Sequence, residues 1–202
     1  MKIIYLLLVV FCGLLAGNVW ADEPGPTTDL KPVLNDLTAV LADESLKGNE
    51  HLSERRDKIM SLIKRGFDFK EMSKRVLGRT WREIGEEEQE RFTVLMTKLL
   101  ENVYIGKLEG YSGEEIEFVE EMVKGDRAQV TVLIENEGTK LPVHYIMRAT
   151  GSRWMVYDIN IEGVSLVRNY QEQFKSILRK EDYKGLVKVL EDKNRAFLEE
   201  VQ

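Results

Sequence analysis

The spacing of apolar residues changes twice along the chain, and this change constrains the fold more than any other sequence feature. Between Leu30 and Tyr104 apolar residues recur at the three- and four-residue intervals of amphipathic helices. From Ile116 to Ile161 they alternate with polar residues, as in strands with one buried face. The helical spacing returns at Leu166. Because helices and strands are segregated along the chain, we predict an α+β fold.

The two helical regions predict six helices, each with one apolar stripe. The most regular stripe runs from Phe92 to Tyr104, and the acidic residues 86–88 before it suit the positive end of a helix dipole. Asp68 and Ser165 stand where N-cap residues are expected, before the third and the fifth helix. Both ends of the chain are therefore predicted to be helical.

Four strands are predicted in the central region, and short turns rich in glycine join them. Such connections favour an antiparallel meander. In the first strand the alternation places Met122 on the same face as Phe118. In the last strand it places three apolar residues on one face and three polar residues on the other: Tyr157, Ile159 and Ile161 against Asp158, Asn160 and Glu162. We interpret the two carboxylates of that strand as groups that hold the corner between strand and helix.

Residues 1–21 have the features of a secretory signal peptide. Lys2 precedes an apolar run that is too short to span a bilayer, and Ala21 fits the small residue before a cleavage site. A lipid anchor on Cys12 is not expected, because the bulky Phe11 stands where such a site needs a small residue. We therefore expect export, cleavage after Ala21 and no stable insertion into a membrane.

The remainder of the chain is predicted to form one domain. Residues 22–28 read as a flexible leader because they are rich in proline, glycine and threonine. The domain then covers residues 29–202. It divides into a mainly helical part at 29–110, the antiparallel sheet at 111–164 and the C-terminal helices at 165–202.

Charge and cysteine content narrow the classes of partner. The 202 residues carry a formal net charge of −6, and the expected cleavage removes a single charged residue, Lys2. An acidic exported domain without a basic stripe argues against nucleic acid as a partner and against electrostatic attachment to anionic membranes. Cys12 is the only cysteine, so the mature chain is expected to have neither disulfides nor thiolates.

Few residues suit catalysis or metal binding. The two histidines, His51 and His144, are far apart in sequence and no nucleophile motif accompanies them. We expect no metal and no cofactor, because thiolates are absent and the carboxylates mostly have basic neighbours. An enzyme that uses Asp158 or Glu162 as a proton-transfer base for a small apolar substrate is the alternative. Against it, the alternation points both carboxylates toward water, where a carboxylate has little catalytic use.

The apolar stripes do not distinguish a filled core from a lined cavity, and composition alone favours a filled core. A series of motifs nevertheless runs in order through nearly the whole mature chain: Phe67-Asp68-Phe69, Met72, Leu77-Gly78, Trp81-Arg82, Gln89, Phe92, Leu99-Leu100, Tyr104, Pro142-Val143-His144-Tyr145, Trp154, Val156-Tyr157-Asp158, Glu162-Gly163-Val164-Ser165-Leu166, Asn169-Tyr170 and Phe174. With these motifs the chain resembles the MlaC family, also called the toluene-tolerance family, of periplasmic phospholipid-binding proteins. A periplasmic adaptor with a solid core is a third possibility.

The resemblance implies a fold, a function and partners. The fold would be a curved antiparallel sheet of four or slightly more strands, NTF2-like in character, packed against helices around an apolar cavity. The function would be to carry phospholipid across the periplasm as a monomer, with the acyl tails between sheet and helices. The partners would be an outer-membrane lipoprotein–porin complex and an inner-membrane ABC transporter with an MCE-domain subunit.

The same resemblance, combined with the inward positions of the stripes, gives candidates for the wall of the lipid site. They are apolar or aromatic and come from the third, fourth and fifth helices and from the last two strands. The candidates are Phe69, Met72, Val76, Leu77, Phe92, Met96, Leu99, Val103, Tyr145, Met147, Tyr157, Ile159, Val164, Leu166 and Tyr170.

Overall fold

The structure, a computed structural model, describes residues 25–111, 113–136 and 138–200. The predicted signal peptide and residues 22–24 of the predicted leader lie outside the described residues. The helices are α1 Pro26–Ala42, α2 Leu52–Gly66, α3 Phe69–Leu77, α4 Glu86–Glu109 and α5 Leu166–Glu200. The strands are β1 Glu115–Lys124, β2 Arg127–Asn136, β3 Thr139–Thr150, β4 Arg153–Ile161 and β5 Val164–Ser165.

Helix α1 begins at Pro26, so residues 26–28 are helical although the sequence places them in a leader. Proline is favourable at the first helical position because its missing N–H would have no partner inside the helix. The Thr27 amide donates to the Oε2 atom of Glu121 on β1 at 2.8 Å. A carboxylate from the sheet therefore caps this helix, and local sequence patterns do not show such a contact.

The predicted caps are confirmed at two other helices. Asp68 Oδ1 accepts a hydrogen bond from the Glu71 amide at 2.8 Å, and Ser165 Oγ accepts one from the Arg168 amide at 3.0 Å. Helix α5 contains one non-helical residue, Asp182, with φ 60°. This break separates the two C-terminal helices that the sequence predicts, and the Asp182 side chain caps the second by accepting from the Lys184 amide at 2.8 Å.

The sheet is an antiparallel meander of five strands in the order β1-β2-β3-β4-β5. The four predicted strands are present, and the short β5 pairs with the end of β4. Glu162 and Gly163 form the turn between these two strands, with φ 51° and 82°. Positive φ at both central residues is typical of a two-residue hairpin turn. The prediction of an α+β fold with a curved antiparallel sheet is confirmed.

Two β-bulges correct the predicted alternation. The register shifts between Phe118 and Glu120, so Met122 lies opposite Gln129, is 50% exposed and does not share a face with Phe118. The second shift lies in β4, where Val156 pairs with Met147 and Asp158 pairs with Ile146, which leaves Tyr157 as the extra residue. Beyond each bulge, every residue of the strand lies on the face of the sheet opposite to the one that simple alternation predicts.

The second bulge decides which residues of β4 face the helices. Val156, rather than Tyr157, lies on the same face as Ile159 and Ile161, since these three pair with the inward residues of β3. We call this the inner face of the sheet, defined by Val130, Val143, Tyr145, Met147, Val156 and Ile159. Helix α1 packs on it through Leu30 and Leu34.

Helices α3, α4 and α5 form a second packed unit. Its buried centre contains Phe92 and Met96 of α4 together with Leu186 of α5. The rings of Phe92 and Phe174 meet edge to face with centroids 6.1 Å apart. The molecule thus has a helical core beside the sheet, packed around Phe92 and Met96, and the space between the sheet and the helices is where a cavity can form.

Candidate functional site

An apolar cavity with a volume of about 490 Å³ lies between the inner face of the sheet and the helices. All five helices and the strands β2 to β5 contribute to its wall. The volume falls within the ~300–1,000 Å³ that is usual for ligand pockets. Apart from Glu101, Lys107 and Asn169, the lining residues are aliphatic, aromatic or methionine: Leu34, Leu37, Met60, Ile63, Phe67, Phe69, Met72, Leu100, Tyr104, Ile105, Leu108, Ile134, Val143, Tyr145, Ile159, Ile161, Val164 and Leu166.

The deep part of the cavity lacks charge. Tyr145 and Val143 of β3 and Met72 of α3 are buried there. Burial raises the pKa of the Tyr145 hydroxyl to about 12, so this side chain is neutral at any ordinary pH. A neutral, apolar surface of this kind is suited to hydrocarbon and poorly suited to an ion.

The cavity reaches the surface where the turn between β4 and β5 meets α5. Ile161 and Val164 line the cavity and yet are 41% and 61% exposed. Lys107 near the end of α4 and Asn169 in the first turn of α5 are exposed lining residues as well. We call these four residues the mouth. The site therefore has an apolar interior and an opening that carries both apolar and polar groups.

The structure brings six of the predicted wall residues together around this cavity. They come from α3, β3, β4, β5 and the start of α5. Most of these elements meet at the junction between the sheet and the C-terminal helix. The six are Phe69, Met72, Tyr145, Ile159, Val164 and Leu166.

The other nine candidates lie elsewhere in the core. Val76, Leu77, Phe92 and Met96 are buried in the helical cluster, and Met147 is buried beneath α1. Tyr157, the bulge residue, is covered by the Arg75 guanidinium, whose Cζ atom lies 3.8 Å from the ring centroid. The remaining three, Leu99, Val103 and Tyr170, line a separate hollow.

This second hollow, of about 420 Å³, lies between α4 and α5. Gln173, Lys193 and Phe197 complete its wall together with Ala196. Tyr104, which lines the first cavity, is hydrogen-bonded to Tyr170, which lines the second hollow. Burial and the neighbouring Tyr104 raise the pKa of Tyr170. A pair of tyrosines therefore lies between the two spaces.

Several lining residues were not among the predicted candidates. Helices α1 and α2 contribute Leu34, Leu37, Met60 and Ile63. These residues belong to apolar stripes that are visible in the sequence, yet the stripes alone do not say which helix closes the space over the sheet. Only the packing of α1 and α2 against the inner face identifies them as part of the wall.

The carboxylates considered for catalysis are placed at the corner between β4 and α5. Asp158 Oδ2 accepts from the Ser165 hydroxyl at 2.6 Å, and its Oδ1 accepts from the Val167 amide at 2.9 Å. Asp158 therefore caps α5, as the interpretation of the corner requires. Glu162 is exposed in the turn itself. Neither residue is among the described residues that line the cavity.

Neither histidine is among the described residues that line the cavity. His51 is half-exposed, with Glu50 and Glu54 at 3.9 and 3.8 Å. His144 lies on the outer face of the sheet, where its Nδ1 atom is 3.1 Å from Thr131 Oγ1. Within the described ranges no three His, Cys, Asp or Glu side chains are grouped so that they could hold a metal ion. In the same part of the chain, no helix has the length and apolar character needed to cross a membrane.

Comparisons with known proteins agree with the geometry of the fold. The model of the MlaC protein family matches residues 31–192. A phospholipid-binding protein from Ralstonia solanacearum, solved in complex with a phospholipid, superposes with a TM-score of 0.77 at 25% sequence identity. The match covers 86% of this chain and 98% of that chain. No curated protein sequence matches significantly. Because the family model spans most of the chain, the resemblance drawn from the motifs is confirmed, and the chain belongs to the MlaC family.

Proposed function

We propose that this protein binds phospholipid and holds the acyl tails in the apolar cavity between sheet and helices. The observation that carries the proposal is the cavity itself, whose wall is apolar apart from Glu101 and the polar residues of the mouth, and whose mouth is open to solvent. The similar protein from Ralstonia solanacearum was solved with a phospholipid, which supports the same ligand class here.

The physical need for such a site is large. Each CH₂ group removed from water contributes ~0.8 kcal/mol, so two acyl chains of ordinary length cost on the order of 20 kcal/mol to expose. A carrier lowers this cost if it offers an apolar surface of comparable quality and leaves the headgroup in water. The deep wall around Met72 and Tyr145 and the exposed mouth provide these two environments.

We further propose that the protein shuttles phospholipid through the periplasm in an Mla-type system. Its partners would be an outer-membrane lipoprotein–porin complex and an inner-membrane ABC transporter with an MCE-domain subunit. Membership of the family and the signal-peptide features of residues 1–21 support this role. Release requires a partner that opens the cavity or competes for its lipid, because a ligand leaves only when another state binds it better.

Of the candidate wall residues, we propose that the six around the cavity contact the tails. Phe69, Met72, Tyr145, Ile159, Val164 and Leu166 have this position. The other nine would act by packing the core that supports the wall. The family match does not favour catalysis, and the roles of Asp158 at the helix cap and of Glu162 in the turn favour binding over an enzyme.

Native mass spectrometry of protein purified without detergent tests the proposal. We expect bound phospholipid in the protein as isolated, and uptake of phospholipid by protein from which the lipid has been removed. Protein that is consistently free of lipid and takes up none from vesicles would refute the proposal.

Two adjacent leucines of α4 provide a matched pair for this experiment. Both are buried, but Leu100 lines the cavity and Leu99 lines the second hollow. We expect Leu100→Gln to reduce lipid retention strongly and Leu99→Gln to leave it nearly unchanged, with similar losses of stability in both. Circular dichroism verifies that each variant is folded. Equal loss of lipid in both variants would indicate that the tails occupy the second hollow as well as the cavity.

A further inference from the structure

The polar residues of the cavity wall are few, and one of them carries an accessible positive charge. Lys107 lies in the last turn of α4 and is exposed at the mouth. Its Nζ atom is 5.4 Å from the ring centroid of Tyr104, which is itself a lining residue. The aromatic ring attracts the ammonium group and so keeps it beside the opening of the cavity.

Lys107 has no carboxylate partner within the part of the chain that the structure describes. Among the described residues, no Asp or Glu oxygen forms an ion pair with Lys107, although the chain has a net negative charge. The two acidic residues nearest to it on α4 have other partners: Glu101 pairs with Lys98 at 2.9 Å, and Glu109 pairs with Arg56 at 3.1 Å. The mouth therefore presents a cation that has no carboxylate partner in the described structure.

We infer that the Lys107 ammonium group binds the phosphate of the bound lipid's headgroup. This inference rests on the proposed function, since tails held in the apolar interior leave the headgroup at the mouth. Lysine is a common partner of phosphate because its ammonium group is a compact point charge with three donors. Asn169 is the second polar group at the mouth. Its Oδ1 atom accepts a hydrogen bond from Gln173 Nε2 at 3.2 Å. The Nδ2 group of Asn169 takes no part in this hydrogen bond.

A purely structural role for Lys107 makes a different prediction. A lysine in the last turn of a helix stabilises the negative end of the helix dipole, and its packing on Tyr104 adds a cation–π contact. Loss of these contacts lowers the stability of the protein, but it does not change which lipid the cavity prefers. A measurement of lipid preference therefore separates the two roles.

The test is a competition between two lipids with the same tails. Lipid-free protein is incubated with vesicles that contain equal amounts of dioleoylphosphatidylglycerol and dioleoylglycerol, and the bound species are counted by native mass spectrometry. We expect the wild-type protein to favour the phospholipid and Lys107→Gln to lower the ratio about three- to tenfold. Lys107→Arg should retain most of the preference, because it keeps the charge.

Lys188→Gln is the matched control, since Lys188 is an exposed lysine of α5 that lines neither cavity. Added inorganic phosphate should reduce the preference no more than chloride at the same ionic strength; a stronger effect of phosphate would indicate a site for the free anion and overturn the inference. A ratio that is unchanged in Lys107→Gln would also overturn it. A wild-type protein that takes up neither lipid would instead refute the proposed function.

Discussion

At the scale of single residues, Asp158 connects the sheet to the helix that borders the mouth. Its two carboxylate oxygens accept from the Ser165 hydroxyl and the Val167 amide. We expect Asp158→Ala to lower the free energy of unfolding by about 1–2 kcal/mol, the usual cost of a lost helix cap. Asp158→Asn keeps one oxygen acceptor and should cost less. Urea denaturation of both variants measures the difference.

The same pair of variants tests the alternative function. If Asp158 only caps α5, Asp158→Asn should load phospholipid as the wild-type protein does. A folded Asp158→Asn protein with normal stability but no lipid uptake would contradict the structural role that we assign to this carboxylate.

Tyr145 gives a prediction about alkaline pH. Burial raises the pKa of its hydroxyl to about 12, whereas a tyrosine in an unfolded chain has a pKa of about 10. The folded state therefore binds the proton more tightly, so this contribution to stability is complete below about pH 10 and is lost as the pH rises toward about 12. In lipid-free protein, Tyr145→Phe should flatten the fall in unfolding free energy across this window, by at most about 1.4 kcal/mol per pH unit. If the unfolding free energies of the two proteins, measured at matched pH, fall equally between about pH 10 and about pH 12, this effect of Tyr145 is contradicted.

At the scale of elements, α3 is held against the sheet by an ionic cluster on the side away from the cavity. Glu71 is only 8% exposed and accepts from Arg148 of β3 at 3.1 Å and from Arg75 at 2.9 Å. Removal of its charge takes away the carboxylate that Arg75 and Arg148 share, although Arg148 keeps a second one, Asp126, at 3.6 Å. We expect Glu71→Gln to lower the free energy of unfolding by about 1–3 kcal/mol.

Glu83 provides the control for this prediction. It pairs with Arg79 at 2.7 Å on an exposed helical turn, with both side chains more than half exposed. Exposed pairs contribute about 0.2–1 kcal/mol, so Glu83→Gln should have little effect. Thermal and urea denaturation of the two variants, measured side by side, give the loss of unfolding free energy in each. Equal losses would contradict the stabilising role of the ionic cluster.

The elements also show what periodicity can predict and what it cannot. Residue spacing identifies the helices, the strands and the caps at Asp68 and Ser165, because these depend on local sequence. It does not identify the bulge at Tyr157, since one extra residue in a strand leaves no mark on composition. The predicted inner face of β4 therefore contains Tyr157 where the structure has Val156.

The composition of the cavity wall depends on packing between distant elements. Helix α4 buries two sides: Phe92 and Met96 pack in the helical cluster, whereas Tyr104 and Leu108 line the cavity. One apolar stripe in the sequence therefore contains both core and wall residues. Two of the predicted wall residues, Ile159 and Leu166, lie at the cavity where strand and helix join, because there a short connection fixes the geometry.

At the scale of the whole molecule, the packed core and the proposed lipid site lie in different regions. Apart from the second hollow between α4 and α5, the cluster of α3, α4 and α5 is filled, whereas the space between the sheet and the helices is open at the mouth. Substitutions inside the filled cluster should mainly lower stability. Substitutions at the mouth should mainly change ligand binding, because exposed side chains contribute little to the core.

Two exposed valines allow this division to be tested directly. Val164 is 61% exposed and lines the cavity at its mouth, whereas Val94 is 59% exposed on α4 and lies outside the lining. Aspartate at either position should change the free energy of unfolding by no more than about 0.5–1 kcal/mol. We expect Val164→Asp to weaken phospholipid retention, because it places a negative charge where the tails and the anionic phosphate enter. Val94→Asp should retain lipid at the wild-type level.

Lipid transfer from labelled vesicles, measured at low and high salt, distinguishes the effect of charge from the effect of lost apolar surface, since salt screens only the former. Equal retention by the two variants would show that lipid enters at another part of the surface.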